Sequence, residues 1–428
     1  MSDPRASAFW HPFADMGAVA GAPFVIDRAE GATVWDEDGR AYLDGTAALW
    51  YANLGHGRHE IVDAITAQLR KLDAYSTFGD YSNRPAMDLA ERLAALFPEP
   101  GAKIFFGSGG GDMIDSAAKI ARASFALQGQ PERVHLISRN HGYHGTHGFG
   151  TAIAGIPANT THFAVEARDT SVVPYDDAAA LEAEILRVGP ERVAAFFCEP
   201  VIGAGGVYPP PAGYIEEAVA ICRRHGVLFV ADSVISGFGR LGTWLGIDRW
   251  DVVPDMVTTA KGITGGVQPL GALFVREGVA APFFTGEPGA PVLRHGATYA
   301  GHPAAAAAAL AALDLYEQDD TLGRGRLLEV PLTRALAPLA DSPLIAEVRS
   351  GTGFLAGVEL ADDVLQRVPG AVATWQLAVR EVGVLARPLG RGLAVSPPLI
   401  VDESDVERIG AALAEGLQAV DRAAQATA

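Results

Sequence analysis

Apolar and polar positions alternate along this chain on two periods. Short, strongly apolar runs predict strands at Lys103–Phe106, Val134–Ser138, Ala194–Cys198, Val227–Ala231, Met256–Ala260 and Ala272–Arg276. Between most of them lie stretches with apolar residues at helical spacing, such as Gly213–His225. Strands and helices in alternation predict an α/β fold on a mainly parallel sheet. The stretch PAAAAAALAALDLY from Pro303 opens with a proline suited to a first helical turn and predicts a buried helix. The two ends read differently. Residues 1–55 carry short strand patterns with a DG turn, and residues from about 325 give helix, strand and helix, then LAVSPPLIV and a terminal helix. Residues 1–55 and 325–428 are therefore expected to form one smaller α+β domain, and residues 56–324 a larger α/β domain.

The predicted strands place polar residues where ligands bind in open α/β sheets, beyond the carboxyl ends. Ser108 and its glycines follow the first strand, Tyr143 and His144 the second, Glu199 the third, Asp232 the fourth and Lys261 the fifth. Lysine is scarce: Lys71, Lys103, Lys119 and Lys261 are the four in the chain. Lys71 and Lys119 read as solvated helix faces and Lys103 as a strand start. Lys261, in TTAKGITGG, has no acidic or basic residue within five positions on either side. A lysine at a strand end before a glycine-rich loop can form an imine with a cofactor aldehyde, or it can be a snorkelling surface residue.

Asp232 ends an apolar strand, so its carboxylate needs a donor or cationic partner, either loop amides or a pyridinium nitrogen. The stretch GSGGGDMIDSAAKIAR can turn backbone N–H groups from Ser108 through Gly109, Gly110 and Gly111 to Asp112 toward an anion at a helix N-terminus, or can be a plain helix start capped by Asp112 or Asp115. It fails GxGxxG, and Walker A and GxSxG are absent. His141, His144 and His147 recur at intervals of three, but interrupting glycines argue against a helix presenting them to a metal. Tyr143 among them suits stacking on a flat ring. Pro397–Pro398, after Arg387, suggests a rigid loop closing over a site, though such pairs are usually structural.

Composition narrows the partners. With 33 basic and 51 acidic residues the formal charge is −18, which argues against nucleic acid and anionic membranes. Cys198 and Cys222 are the two cysteines and CxxC is absent, which fits a reducing compartment. The first residues, MSDPRASAFWHPFADMG, hold no apolar core of a signal peptide, and no run is long enough to span a bilayer. A soluble, cytoplasmic protein is expected.

Together these residues resemble the class III aminotransferases that depend on pyridoxal 5'-phosphate, the fold-type-I ω-transaminases. The resemblance runs from WHPFADM through LDGTAALWYANLGHGRHEIVDAI, YHG, CEPVIGAGGVYPPPAGY, VADSVISGFGRLG, AKGITGG and TYAGHP to ARPLGRGLAVSPPLIV. The stretch around Trp50 looks most like the amine:pyruvate subgroup. By resemblance, Lys261 is the Schiff-base lysine and Asp232 the acid that pairs with the pyridine nitrogen. Val234 packs on one ring face and Tyr143 on the other, and Gly110 and Gly111 belong to the phosphate loop. Thr298 reaches the phosphate of a neighbouring subunit, which implies a homodimer. Trp50, Phe78 and Phe13 are pocket walls, and Arg387 is the mobile arginine that pairs with a keto-acid carboxylate.

The departures from the family pattern are specific. Gly111 replaces a hydroxyl residue and Asp112 a glutamate, Ser233 replaces a glutamate beside Asp232, and Arg391 stands where an acid is common. The implied reaction moves an amino group from a small amine or ω-amino acid to a keto acid such as pyruvate. A racemase, aminomutase or phospho-lyase on the same fold is the alternative. A nicotinamide-dependent oxidoreductase is disfavoured by the failed GxGxxG, and a non-catalytic relative by the presence of both Lys261 and Asp232.

Overall fold

The computed structural model describes residues 8–19, 23–163, 168–286 and 288–426. Its centre is a sheet of seven strands: β1 (Lys103–Gly107), β2 (His135–Arg139), β3 (Thr170–Val173), β4 (Val193–Cys198), β5 (Leu228–Asp232), β6 (Met256–Thr259) and β7 (Gly271–Val275). In space they run β1-β7-β6-β5-β4-β2-β3. β7 is antiparallel to both neighbours, and β3, β2, β4, β5 and β6 are mutually parallel. The start of β7 therefore lies at the same sheet edge as the ends of the other six.

The apolar runs form strands because the sheet is covered on both faces. Phe196, Phe229, Val257, Ala272 and Phe274 face one apolar cluster, whereas Phe197, Val230, Met256, Leu273 and Val275 face another. That alternation is the two-residue period of a strand. All six expected strands are present, with ends moved by a residue. The addition is β3, whose TSVV sequence is half polar because it lies at the sheet edge with mixed burial. The expected helix from Pro303 extends to Gln318 and buries Ala304, Ala308 and Ala312. No helix among the described residues is long and apolar enough to cross a membrane.

The two chain ends meet. Strands Ile26–Glu30, Thr33–Asp36 and Ala41–Asp44 form a sheet whose fourth member is Val384–Leu385, paired parallel to Leu43 and Asp44. A second sheet, antiparallel throughout, holds Ile345–Arg349, Ala356–Leu360, Gly392–Val395 and Arg387–Leu389. Leu43 shares an apolar cluster with Trp375, Val384 and Leu413.

Arg240 ties these parts together. Its side chain is fully buried and donates to Phe354 O at 2.8 Å, Pro397 O at 2.7 Å and Asn53 Oδ1 at 2.8 Å. Burial pulls its pKa down to about 10. Pro397 and Pro398 are buried, and Pro397 serves as an acceptor for this cation, so the pair anchors the interior and does not close over a site. Arg240→Met should strand three buried acceptors and lower unfolding stability by about 3 kcal/mol or more. Denaturant titration measures this loss.

Candidate active site

The carboxyl edge of the sheet opens into a cavity of about 430 Å³ lined by Ser108, Gly109, Gly110, Gly111, Tyr143, Glu199, Asp232, Val234 and Lys261, among others. Nine positions singled out from the sequence thus converge on one space. The sheet accounts for this: each residue lies at or just past a strand end along one edge.

Asp232 closes β5 and is buried. Its Oδ2 lies 2.8 Å from His144 Nδ1, while Oδ1 accepts from Thr258 Oγ1 at 3.1 Å and from Val234 N at 3.2 Å. Thr258 is the registered partner of Asp232 on β6. Glu199, past the end of β4, accepts from Tyr143 N at 2.8 Å and Gly203 N at 2.9 Å. Burial pushes its pKa up to about 7, against the pull of His144.

Lys261 follows β6 with φ 49°, a left-handed conformation that costs a non-glycine residue about 1–2 kcal/mol. The turn Lys261–Thr264 holds it there. Tyr316 Oη donates to Gly262 O at 2.8 Å, and a Cβ on Gly262 would lie 2.6 Å from Asn53 Nδ2. Burial lowers the pKa of the Lys261 amine, with Asp232 and Glu199 acting in the opposite direction. The ammonium has no hydrogen-bond or ion-pair partner among the described residues.

The helix Gly110–Leu127 points its N-terminus into the cavity. Asp112 Oδ2 accepts from Ser108 N at 2.7 Å and so folds the loop over the first turn. Gly110 is required for space, since a Cβ there would come within 2.9 Å of Val234.

The remaining expected residues divide. Arg387 lies near enough for its charge to act on Tyr143 and Lys261, and its Nε is buried without a hydrogen-bond partner. Arg391, its neighbour, is held by Glu359 and Asp362. Phe13 is exposed and meets Tyr143 edge-on, with ring centroids 6.4 Å apart. Phe78 is exposed and packs near Gly296, and Thr298 is exposed on the same segment, outside this cavity. Trp50, expected as a pocket wall, is buried. It shares an apolar cluster with Val201, Val207 and Ile235, and Ile235 and Tyr51 both line the cavity. Trp50 has a φ of 65°, in the left-handed region. The three histidines diverge: His141 stacks on Tyr208, His144 bonds Asp232, and His147 lies beside Asp112. Lys119 contacts His295 and Lys103 lies over the Phe284 ring, both away from the cavity.

A family model described as aminotransferase class-III matches residues 16–417. The chain belongs to the class-III aminotransferases. It is 35% identical to putrescine–pyruvate aminotransferase of Pseudomonas aeruginosa, over 90% of this chain and 88% of that one. It is 34% identical to gamma aminobutyrate transaminase 3, chloroplastic, of Solanum lycopersicum, over 90% and 79%. Among solved structures, an (S)-enantioselective omega-transaminase from Thermomicrobium roseum superposes with a TM-score of 0.91 at 35% identity, covering 96% of each chain. An amine transaminase from an uncultivated Pseudomonas species, in its form with bound pyridoxal phosphate, gives 0.90 at 35% identity, covering 97% and 99%.

This aminotransferase uses pyridoxal 5'-phosphate, and the cavity fits that group. A helix N-terminus entered through Gly109, Gly110 and Gly111 offers backbone N–H donors for a phosphate. Asp232 spends three acceptor positions on protein donors, and a carboxylate has room for a fourth. Lys261 presents an amine without a partner. Lys261→Ala should leave a folded protein that no longer retains the cofactor covalently. Borohydride reduction followed by peptide mapping should place the label on Lys261 in the wild type. Label on Lys71, Lys103 or Lys119 would contradict the assignment.

Proposed function

We propose that this enzyme moves an amino group from a primary amine or ω-amino acid to a keto acid of the pyruvate type. The observation that carries this reading is Arg387. It is a half-buried guanidinium near Lys261 and Tyr143 without an acidic partner among the described residues, and its pKa is lowered by burial. A desolvated, unpaired arginine is suited to a ligand carboxylate, which it can grip in bidentate fashion. The neighbouring Arg391 is committed to Glu359 and Asp362, so the two arginines are not interchangeable. An enzyme that accepts a neutral amine in one half-reaction and a keto acid in the other needs a cation that can leave the pocket. The long side chain of Arg387 meets that need. Relatives named for putrescine with pyruvate and for gamma-aminobutyrate support the same substrate class.

Pyridoxal phosphate supplies the electron sink for the reaction. Lys261 anchors it and carries a proton to and from the reacting carbon through Nζ, helped by a pKa brought down by burial. Asp232 keeps the ring nitrogen protonated, and His144 and Thr258 hold Asp232 in place. Tyr143 and Val234 hold the ring, Glu199 fixes the backbone of Tyr143, and the N–H groups of Ser108 through Gly111 receive the phosphate. Phe13 forms part of the substrate wall beside Tyr143.

Thr298 completes the phosphate site of a second subunit in a homodimer, with Phe78 on the same surface. Their exposure beside one another supports this. Residues 1–55 and 325–428 act as the smaller domain carrying Arg387, a division supported by the pairing of Val384 with Leu43. A cytoplasmic location fits two free, buried cysteines.

Three experiments test this reading. Arg387→Ala should keep single turnover with a neutral arylalkyl amine within about tenfold of wild type, while the pyruvate half-reaction falls by about a hundredfold or more, since truncating one partner of a desolvated charge pair costs several kcal/mol. Equal losses in both halves would assign Arg387 a structural role. Asp232→Asn should lower both half-reactions by about two to four orders of magnitude, and near-wild-type rates would contradict its pairing with the ring. Formation of ketone or aldehyde that depends on added keto acid separates transamination from racemase or lyase chemistry.

A further inference from the structure

At the phosphate end of the cavity the helix-entry turn of this subunit carries no side-chain hydroxyl after Ser108. Gly109, Gly110 and Gly111 succeed one another without a hydroxyl, and Asp112 places a negative charge on the same turn. A phosphate dianion there would meet N–H groups and a carboxylate. Among the described residues lining the cavity, three can carry positive charge: Lys261, His144 and His147. Lys261 is the covalent anchor and His144 is bonded to Asp232 at 2.8 Å. His147 remains.

Its position is specific. The imidazole lies over Gly111, so that a Cβ there would come 3.2 Å from Nδ1 and 3.3 Å from Cε1. Asp112 Oδ1 lies 3.3 Å from His147 Nδ1, while Asp112 Oδ2 is held by Ser108 N. The ring thus takes the space that a side chain at position 111 would fill, and Asp112 orients it.

We propose that His147 replaces the missing hydroxyl of the phosphate loop, with Nδ1 toward Asp112 and Nε2 donating to the cofactor phosphate. The proposal rests on reading Ser108–Gly111 as the phosphate cradle. It couples the departure at Gly111 to His147 as one exchange: a small donor on the helix is given up and a larger one from the following loop covers the gap. An imidazole with a proton on each nitrogen donates to the carboxylate and the phosphate at once and separates two like charges.

The test uses holoenzyme loaded with pyridoxal phosphate or with pyridoxal, which lacks the phosphate, and follows cofactor loss on dialysis by absorbance. His147→Ala should speed loss of pyridoxal phosphate by about ten- to a hundredfold, the range for a charge-assisted hydrogen bond. Loss of pyridoxal should change by less than about twofold. The double variant Gly111→Ser, His147→Ala should recover most of the retention, because the serine then has room. Equal acceleration for both cofactors, or no acceleration for either, overturns the proposal, and so does a double variant no better than His147→Ala. Gly110→Ala, whose Cβ meets Val234, separates the two levels. If it speeds loss of pyridoxal phosphate while His147→Ala does not, the cradle stands and the role of His147 falls. If neither does, both fall.

Discussion

A buried carboxylate at the end of β5 sets the terms for this active site. Asp232 cannot stay ionised in the interior without donors, because an unpaired buried charge costs several kcal/mol. Three donors meet it from three places: Thr258 from the adjacent strand, Val234 from its own turn, and His144 from the loop after β2. Meeting that demand fixes where β2 and its loop must lie. Tyr143 is the neighbour of His144, and its backbone is in turn held by Glu199. One charge therefore organises a line of residues across β2, β4, β5 and β6. The cofactor uses a frame that the protein requires for its own electrostatics.

Lys261 imposes the complementary constraint. Its left-handed backbone is strained, and strain persists where the surroundings overdetermine it. Tyr316 grips the carbonyl of Gly262, Asn53 closes the space beside it, and Asn53 is itself held by Arg240 and by Phe238 O. Arg240 reaches onward to Phe354 and Pro397. A turn at the cavity is thus braced by polar contacts that run through the fully buried Arg240 to the sheet carrying Arg387. The Lys261 turn and the sheet carrying Arg387 share a rigid support, although the two residues are 126 positions apart in sequence (387 − 261).

Much of this was legible in the chain because parallel strands covered on both faces read as unbroken apolar runs, and because function concentrates where those runs stop. The edge strand β3 was not legible, since half-exposed TSVV has no such contrast. Lys261 stood out through scarcity and Asp232 through its position after an apolar strand. Thr258 was readable in principle, as a polar residue inside the run beside that of Asp232, but only a register makes the pair. The place of Trp50 rests on resemblance alone, because the positive φ values at Ala47, Ala48 and Trp50 have no signature in the sequence. Pro397–Pro398 looked like a lid and is a buried acceptor, because its partner, Arg240, is distant in sequence. The division of labour between Arg387 and Arg391 was likewise invisible: both lie in one short motif, and the acids that claim Arg391 come from a different strand and from the helix that follows it.

That last point governs how the pocket can recognise substrates. A guanidinium paired with protein carboxylates gains little from a ligand carboxylate, since it must first break existing bonds. Arg391, bound to Glu359 and Asp362, is in that position. Arg349 is also bound to Glu359, so this acid neutralises two cations on the sheet that holds Arg387. The arrangement leaves Arg387 as the one arginine of the three without an acid partner among the described residues. Selectivity for a carboxylate then arises from the way a local charge network is closed as much as from the arginine facing the cavity. Under the proposed role of Arg387, acids placed to satisfy Arg349 and Arg391 would keep those side chains from competing for the keto acid, and the substrate carboxylate would meet a single cation whose burial raises the value of being paired.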